Sequence, residues 1–247
     1  MHRLFLSSRN ISEDKIEIVD KKQAHYLKDV LRLKNEDQVV FFDQQGNEYF
    51  TRIEEISGQK LSLKIMEKRS FSDTSKVRLT VACAIPKKSK MDDIIDKLTQ
   101  LGVDKIIPLE TERVVVRLNK EKKSARLKRW EKVALSAAQQ SQRKVLPLLM
   151  PVQNVKEVLA QAKDYDLKLI PTLEGGKKKT LREIFSHIQP EPRQILALIG
   201  PEGDFTPSEV ESAKKAGCIA VTLGDTVLRV ETAAVAVASF IKFYAHD

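Results

Sequence analysis

The sequence predicts an α/β protein in two parts, a small β-barrel domain over residues 1–72 and a larger parallel-sheet domain over residues 73–247. Three observations predict it. Residues 1–70 hold five short, mostly alternating segments separated by turn residues, the pattern of a compact barrel. From Val77 onward, apolar runs closed by glycine or proline alternate with helix-starting signals, an order that lays helices on a parallel sheet. Between the two, Phe71-Ser-Asp-Thr-Ser75 is a short polar break.

Residues 3–6, 15–19, 38–42, 48–53 and 60–65 read as the barrel strands, with Asp43-Gln-Gln-Gly46 and Ser57-Gly58 as hairpin turns. A helix over 22–31 interrupts them, with Ala24, Leu27, Val30 and Leu31 on one face. In the second part, residues 77–85 form a strand, and Pro86-Lys-Lys-Ser-Lys90 leads into a helix over 91–101. That helix turns Ile94, Ile95 and Leu98 inward and stops at Gly102. A strand over 103–109 follows. A helix over 125–142 buries Leu127, Trp130, Val133, Ala134 and Ala137, which makes Trp130 a core residue rather than a base-stacking platform.

Residues 167–172 are a strand ending in a proline turn at Pro171-Thr172, and 174–179 a flexible basic loop. The run 194–199 is a buried strand closed by Gly200-Pro-Glu-Gly203. Thr206 then caps a helix, Pro207 takes its first position, Glu209 completes a capping box and Gly217 ends it. Residues 219–224 repeat the strand-then-glycine order, and 228–232 lead into an apolar helix of small residues over 233–241.

Composition narrows the class. With 42% hydrophobic and 31% charged residues the chain is an ordinary soluble globular sequence, and no apolar run is long enough to span a membrane. The start, MHRLFLSSRN, lacks the apolar core of a secretory signal, so a cytoplasmic protein is expected. Cys83 and Cys218 sit in apolar contexts without metal-ligand spacing; they read as packing residues, and no metal is expected. The net charge of +9 is unevenly placed. Residues 1–72 carry 13 basic and 12 acidic side chains, residues 86–146 carry 16 and 8, and residues 147–247 carry 12 and 13. The excess therefore sits in the middle segment, a footprint suited to a phosphate backbone, although a solvated Lys-rich helix would look the same.

A lone glycine-x-x-glycine is usually an ordinary turn, and Gly200 and Gly203 lack the G-x-G-x-x-G spacing of a dinucleotide site. The longer pattern says more. GPEGDFTPSE followed by VTLGDTVLRVETA resembles the C-terminal signature of the RsmE-type SPOUT methyltransferases, the 16S rRNA uracil-N3 enzymes. The chain matches it at Ile199, Gly200, Pro201, Glu202, Gly203, Phe205, Glu209, Leu223, Gly224, Leu228, Arg229, Glu231, Thr232 and Ala233. It departs at Asp204, where the family usually has glycine, and conservatively at Val227 and Val230. Gln100 and Gln139 likewise replace usual glutamates.

The resemblance implies a SPOUT-type methyltransferase domain knotted as a deep trefoil and preceded by a PUA-like β-barrel that binds RNA. It further implies S-adenosyl-L-methionine as cofactor, 16S rRNA of the small ribosomal subunit as substrate, and a homodimer. The cofactor would lie among Pro171, Thr172, Leu198, Ile199, Gly200, Pro201, Glu202, Gly203, Leu223, Gly224, Leu228, Thr232 and Ala233. Apolar side chains would enclose the adenine, and the glycine turns would leave backbone groups free to bond it. Arg229 would stabilise a developing uracil oxyanion and Glu231 would be the catalytic carboxylate; a general base stays unassigned among Glu202, Asp204 and Glu231, and a helix-capping or cofactor-ribose role stays open for Glu202 and Glu231. Arg3, His25, Arg32, Arg113 and Arg143 are the candidate RNA contacts. Two other readings remain: a SPOUT enzyme acting on another RNA, and a non-catalytic assembly factor on the same scaffold.

Overall fold

The computed structural model describes residues 2–6, 11–58, 60–71, 77–87, 90–113 and 119–244. The chain divides into two compact units, residues 1–74 with 138–146, and residues 75–137 with 147–247. Of the polar break at 71–75, residues 72–75 lie outside the described residues.

The first unit contains β1 (His2–Phe5), β2 (Lys15–Ile18), α1 (Lys21–His25), β3 (Gln38–Phe42), β4 (Asn47–Ser57) and β5 (Lys60–Ser70). Its sheet runs β1-β3-β4-β5-β2, parallel between β1 and β3 and antiparallel elsewhere. Alternation on these strands sends Ile16, Ile18, Val39, Phe41, Ile53, Leu61 and Leu63 into one core with Ala24 and Leu27. The β4–β5 hairpin extends beyond the expected 48–53 and 60–65, with register shifts after Phe50 and Ile53. One expectation needs correction. After α1 the chain continues as a π-helical turn, Tyr26–Val30, and Val30 is 56% exposed instead of facing inward. The wider turn rotates side chains out of the 3.6-residue register that placed Val30 with Ala24 and Leu27.

The hairpin turn at residue 43 is held by a buried carboxylate. Asp43 Oδ1 accepts from the amides of Gln45 (2.8 Å) and Asn47 (2.9 Å), and Oδ2 accepts from the Tyr49 hydroxyl at 3.1 Å.

The second unit is a doubly covered parallel sheet. Its elements are β6 (Arg78–Ala84), α2 (Lys90–Gln100), β7 (Lys105–Glu110), α3 (Lys120–Gln140, of which residues 138–140 count with the first unit), β8 (Leu148–Leu149), β9 (Gln153–Asn154), α4 (Val155–Leu159), β10 (Leu167–Pro171), β11 (Lys179–Thr180), α5 (Leu181–Phe185), β12 (Gln194–Ile199), α6 (Pro207–Lys215), β13 (Ile219–Thr222) and α7 (Val230–Tyr244). The order is β11-β13-β10-β12-β6-β7-β8, with β9 also on β7, and every pairing is parallel. Strands buried on both faces read as continuous apolar runs, which is why 77–85 and 194–199 do. Ile195, Ala197 and Ile199 pack with α2, α3, α5 and α7, whereas Leu196 and Leu198 pack with α4 and α6. Trp130 lies in the first of these cores at 2% exposure, as its helical spacing predicts.

Thr206 caps α6 with the full capping box, and Gly217 takes φ +85° beyond its end. Both cysteines are buried and unpaired. Among the described residues no helix is long and apolar enough to cross a membrane.

The Tyr49 phenol is pushed up to about 12 by burial and by the adjacent Asp43 carboxylate. Its folded pKa lies above its unfolded value, so the linked stability is present below pH 10 and lost as pH rises towards 12. Alkaline unfolding of Tyr49→Phe is expected to lack this loss, and ultraviolet titration is expected to show one late-ionising tyrosine in the parent.

Candidate active site

Three adjacent parallel strands, β12, β10 and β13, end at Ile199, Pro171 and Thr222, and their following loops enclose a pocket of about 620 Å³ including its mouth. Crevices outside the carboxyl ends of parallel strands are the usual ligand sites of such sheets. The lining comprises Pro171, Thr172 and Leu173 from the first loop and Ile199, Gly200, Pro201, Glu202 and Asp204 from the second. Val221, Thr222, Leu223, Gly224, Thr226, Val227 and Leu228 follow from the third, with Val230 and Ala233 of α7.

Ten of the thirteen expected cofactor residues are brought together here. Leu198, Gly203 and Thr232 are not in the lining. Strand alternation turns Leu198 to the opposite core, next to Phe205 and Val210. Gly203 lies on the outside of its turn, its carbonyl accepting from Arg113 Nη1 at 2.8 Å. On α7, Val230 and Ala233 face the pocket at helical spacing, and Thr232 between them is exposed. Asp204, expected only as a nearby carboxylate, and Leu173, which sequence reasoning did not place in the site, both line it. Asp204 takes φ +59°, the left-handed region open to glycine and to short polar side chains.

Gly200 is required by close approach. A Cβ there would stand 3.0 Å from two carbons of the Phe205 ring, which is fully buried.

Neither Arg229 nor Glu231, the expected catalytic pair, lines the pocket, although both adjoin Val230, which does. Lys90, at the start of α2, donates to Glu231 in the first turn of α7. Partial burial acts to raise the Glu231 carboxyl, but the Lys90 ammonium, a backbone amide and the Arg229 charge together outweigh it and hold the group below the usual carboxylate range. Lys90 was missed individually, since nothing in the run Pro86-Lys-Lys-Ser-Lys90 singles it out. Glu202 is exposed and accepts from the Lys87 amide at 3.4 Å. Arg229 is exposed, and its side chain makes no hydrogen bond among the described residues. Cys83 lies near both glutamates, and burial pushes its thiol far up, which leaves it a packing residue. Among the described residues no cluster of His, Cys, Asp or Glu is placed to hold a metal.

The candidate RNA contacts are placed differently from one another. Arg3 is committed within its unit: Nε donates to Glu48 Oε1 at 2.8 Å, Nη2 donates to the Arg143 carbonyl at 3.1 Å, and the guanidinium lies 3.8 Å from the Phe42 ring centre. His25 and Asp29 pair at 2.6 Å on the surface, and Arg32 is exposed at φ +55°. Arg143 is half-buried. Arg113 spans the carbonyls of Gly203 (2.8 Å) and Phe205 (3.3 Å), bracing the pocket's second loop.

Comparison with known proteins agrees with this geometry. Residues 73–242 match an RNA methyltransferase domain family, and residues 14–66 match the PUA domain of RNA methyltransferases. The chain is 30% identical to the ribosomal RNA small subunit methyltransferase E of Bacillus subtilis, covering 98% of this chain and 96% of that protein. It is 32% identical to the protein of the same name from Mesomycoplasma hyopneumoniae, covering 95% and 96%. Among solved structures it is similar to a putative methyltransferase of Legionella pneumophila in complex with the cofactor SAM, with TM-score 0.86, 27% identity and coverage of 98% and 97%. It is also similar to ribosomal RNA small subunit methyltransferase E of Neisseria gonorrhoeae bound to S-adenosyl methionine, with TM-score 0.84, 28% identity and coverage of 99% and 98%.

Gly200→Ala is expected to force the Phe205 ring or the turn to shift, lowering the unfolding free energy by about 1–3 kcal/mol in a urea titration.

Proposed function

The chain belongs to the RNA methyltransferase family, and from that premise we propose that it transfers a methyl group from S-adenosyl-L-methionine to N3 of one uridine in the 16S rRNA of the small ribosomal subunit. The observation that carries this is the apolar, glycine-turned pocket at the ends of β12, β10 and β13, which has the lining of a cofactor site. Its lining suits the cofactor because Gly200 and Gly224 bring backbone without a side chain to the wall beside Ile199, Leu223 and Leu228. The family resemblance supports the finer details: the uracil-N3 position, the trefoil knot, the homodimer, the cytoplasmic location and the division into a PUA-like domain at 1–72 and a catalytic domain at 73–247.

When bound, the cofactor supplies an electrophilic methyl group on a sulfonium. The chain's own part is to hold the acceptor in line with it and to favour the deprotonated base. Arg229, exposed next to the pocket-lining Leu228 and Val230, has its guanidinium available for charge developing on a uracil oxygen. Glu231 has a different character. A carboxylate kept ionised by Lys90 is a weak proton acceptor, so we assign it to orienting and electrostatic support rather than to taking the N3 proton. The base must leave its stack to reach such a recess. We assign backbone phosphate contacts to the basic face of α3 and to His25, Arg32, Arg113 and Arg143, and give Arg3 an internal structural role.

The deciding experiment is transfer of labelled methyl from S-adenosyl-L-methionine to small subunits lacking the modification, with the product nucleoside identified by mass spectrometry. N3-methyluridine at one site is expected; another methylated nucleoside moves the protein to a different branch, and no product with no cofactor binding returns it to an assembly factor. In the same assay Arg229→Ala is expected to lose about 10²-fold in kcat while retaining cofactor affinity. Lys90→Met frees Glu231 to protonate at higher pH than in the parent. The acid limb of its pH–rate profile is therefore expected to move to higher pH.

A further inference from the structure

We propose that Asp204 is a positioning residue for the methyl donor: its carboxylate latches the segment after β10 onto the loop after β12 and thereby sets the outer wall of the pocket. The inference rests on the reading of this pocket as the donor site.

The latch is visible as a set of hydrogen bonds joining two loops that are far apart in sequence. Asp204 Oδ2 accepts from the Thr172 hydroxyl at 2.8 Å and from the Leu173 amide at 2.7 Å, while Oδ1 accepts from the Phe205 amide at 2.8 Å. The Thr172 hydroxyl in turn accepts from the Glu174 amide at 3.1 Å. The far side of the segment is folded back by one ammonium, since Lys178 Nζ donates to the carbonyls of Leu173 (3.3 Å), Gly175 (3.0 Å) and Gly176 (3.1 Å). Leu173 is thus held through its amide by Asp204 and through its carbonyl by Lys178.

What the latch positions is an exposed apolar surface. Leu173 and Val227 are 63% and 71% exposed, and both line the pocket. Apolar side chains left open on two loops of one recess gain contact from a molecule seated there. Asp204 holds its place in the left-handed region, at φ +59°, which a non-glycine residue adopts at a cost that its three hydrogen bonds offset.

The test uses the full-length protein, with Asp204→Gly and Asp204→Asn. Glycine takes the same backbone conformation without strain, so folding is kept while the latch is removed. Asparagine keeps size and backbone preference but offers one acceptor oxygen where two are used. Calorimetric affinities are measured for S-adenosylmethionine and for S-adenosylhomocysteine, whose thioether is uncharged. Both variants are expected to bind both ligands about tenfold more weakly, the loss typical of a charge-assisted hydrogen bond. The KM for the donor should rise by a similar factor, with a smaller change in kcat, and the Leu173 amide should lose protection from hydrogen exchange. Unchanged affinity in Asp204→Gly overturns the latch. Loss confined to the sulfonium ligand also overturns it, since the carboxylate would then act by charge on the ligand itself. A parent protein that binds neither ligand defeats the reading of the pocket, and the inference with it.

Discussion

β12 is hydrogen-bonded in parallel on both sides, to β10 and to β6, and its side chains alternate between two separate cores. Everything around the pocket depends on that double constraint. A slip of one residue would exchange Leu198 and Ile199 between cores, a cost borne by every helix packed on the sheet. With the register fixed, Ile199 ends opposite Cys83 and the chain must leave the sheet at Gly200. Pro171 and Val221 are paired at the neighbouring strand ends, so three loops open on one edge. The recess is a by-product of strand pairing, sharpened by small residues at the exits.

The electrostatics of the site follow from where the helices start. α2 and α7 pack against the same face of the sheet, and their first turns bring together Lys90 and Glu231 from distant parts of the chain. Lys90 so placed helps to keep Glu231 ionised, and Arg229, two residues earlier, is exposed to solvent. The two loops on the other side of the pocket are tied by hydrogen bonds to backbone amides instead. Glu209 illustrates this: its carboxylate closes the α6 capping box and also accepts from the Glu112 amide at 2.9 Å, joining that helix start to the loop after β7.

The order of strands and helices was legible because each kind of element leaves a local mark. The capping box at Thr206 and Glu209, the apolar run before Gly200 and the helical spacing around Trp130 depend on neighbours in sequence, and the structure follows them. What stayed hidden was set by neighbours in space. Leu198 and Ile199 are equally apolar, and only the sheet's second face tells them apart. The inward place expected for Val30 failed because a π turn changes the helical period without a residue type that announces it. Arg3 has the composition of a phosphate contact, yet its partners Glu48 and the Arg143 carbonyl come from positions no spacing rule connects.

The return of residues 138–146 to the N-terminal unit bears on how this architecture can be inherited. The chain visits that unit twice, and the second visit supplies the carbonyl that Arg3 bonds, the Val145 side chain 3.1 Å from where a Cβ on Gly46 would sit, and Lys144 over the Phe71 ring. A gene segment ending at the polar break would carry off the strands of the first unit without these contacts. Exchange of the leading domain by simple recombination is therefore disfavoured, and the two units are constrained to evolve as one reading frame. In this chain a domain is a property of contacts and not of a contiguous stretch of sequence.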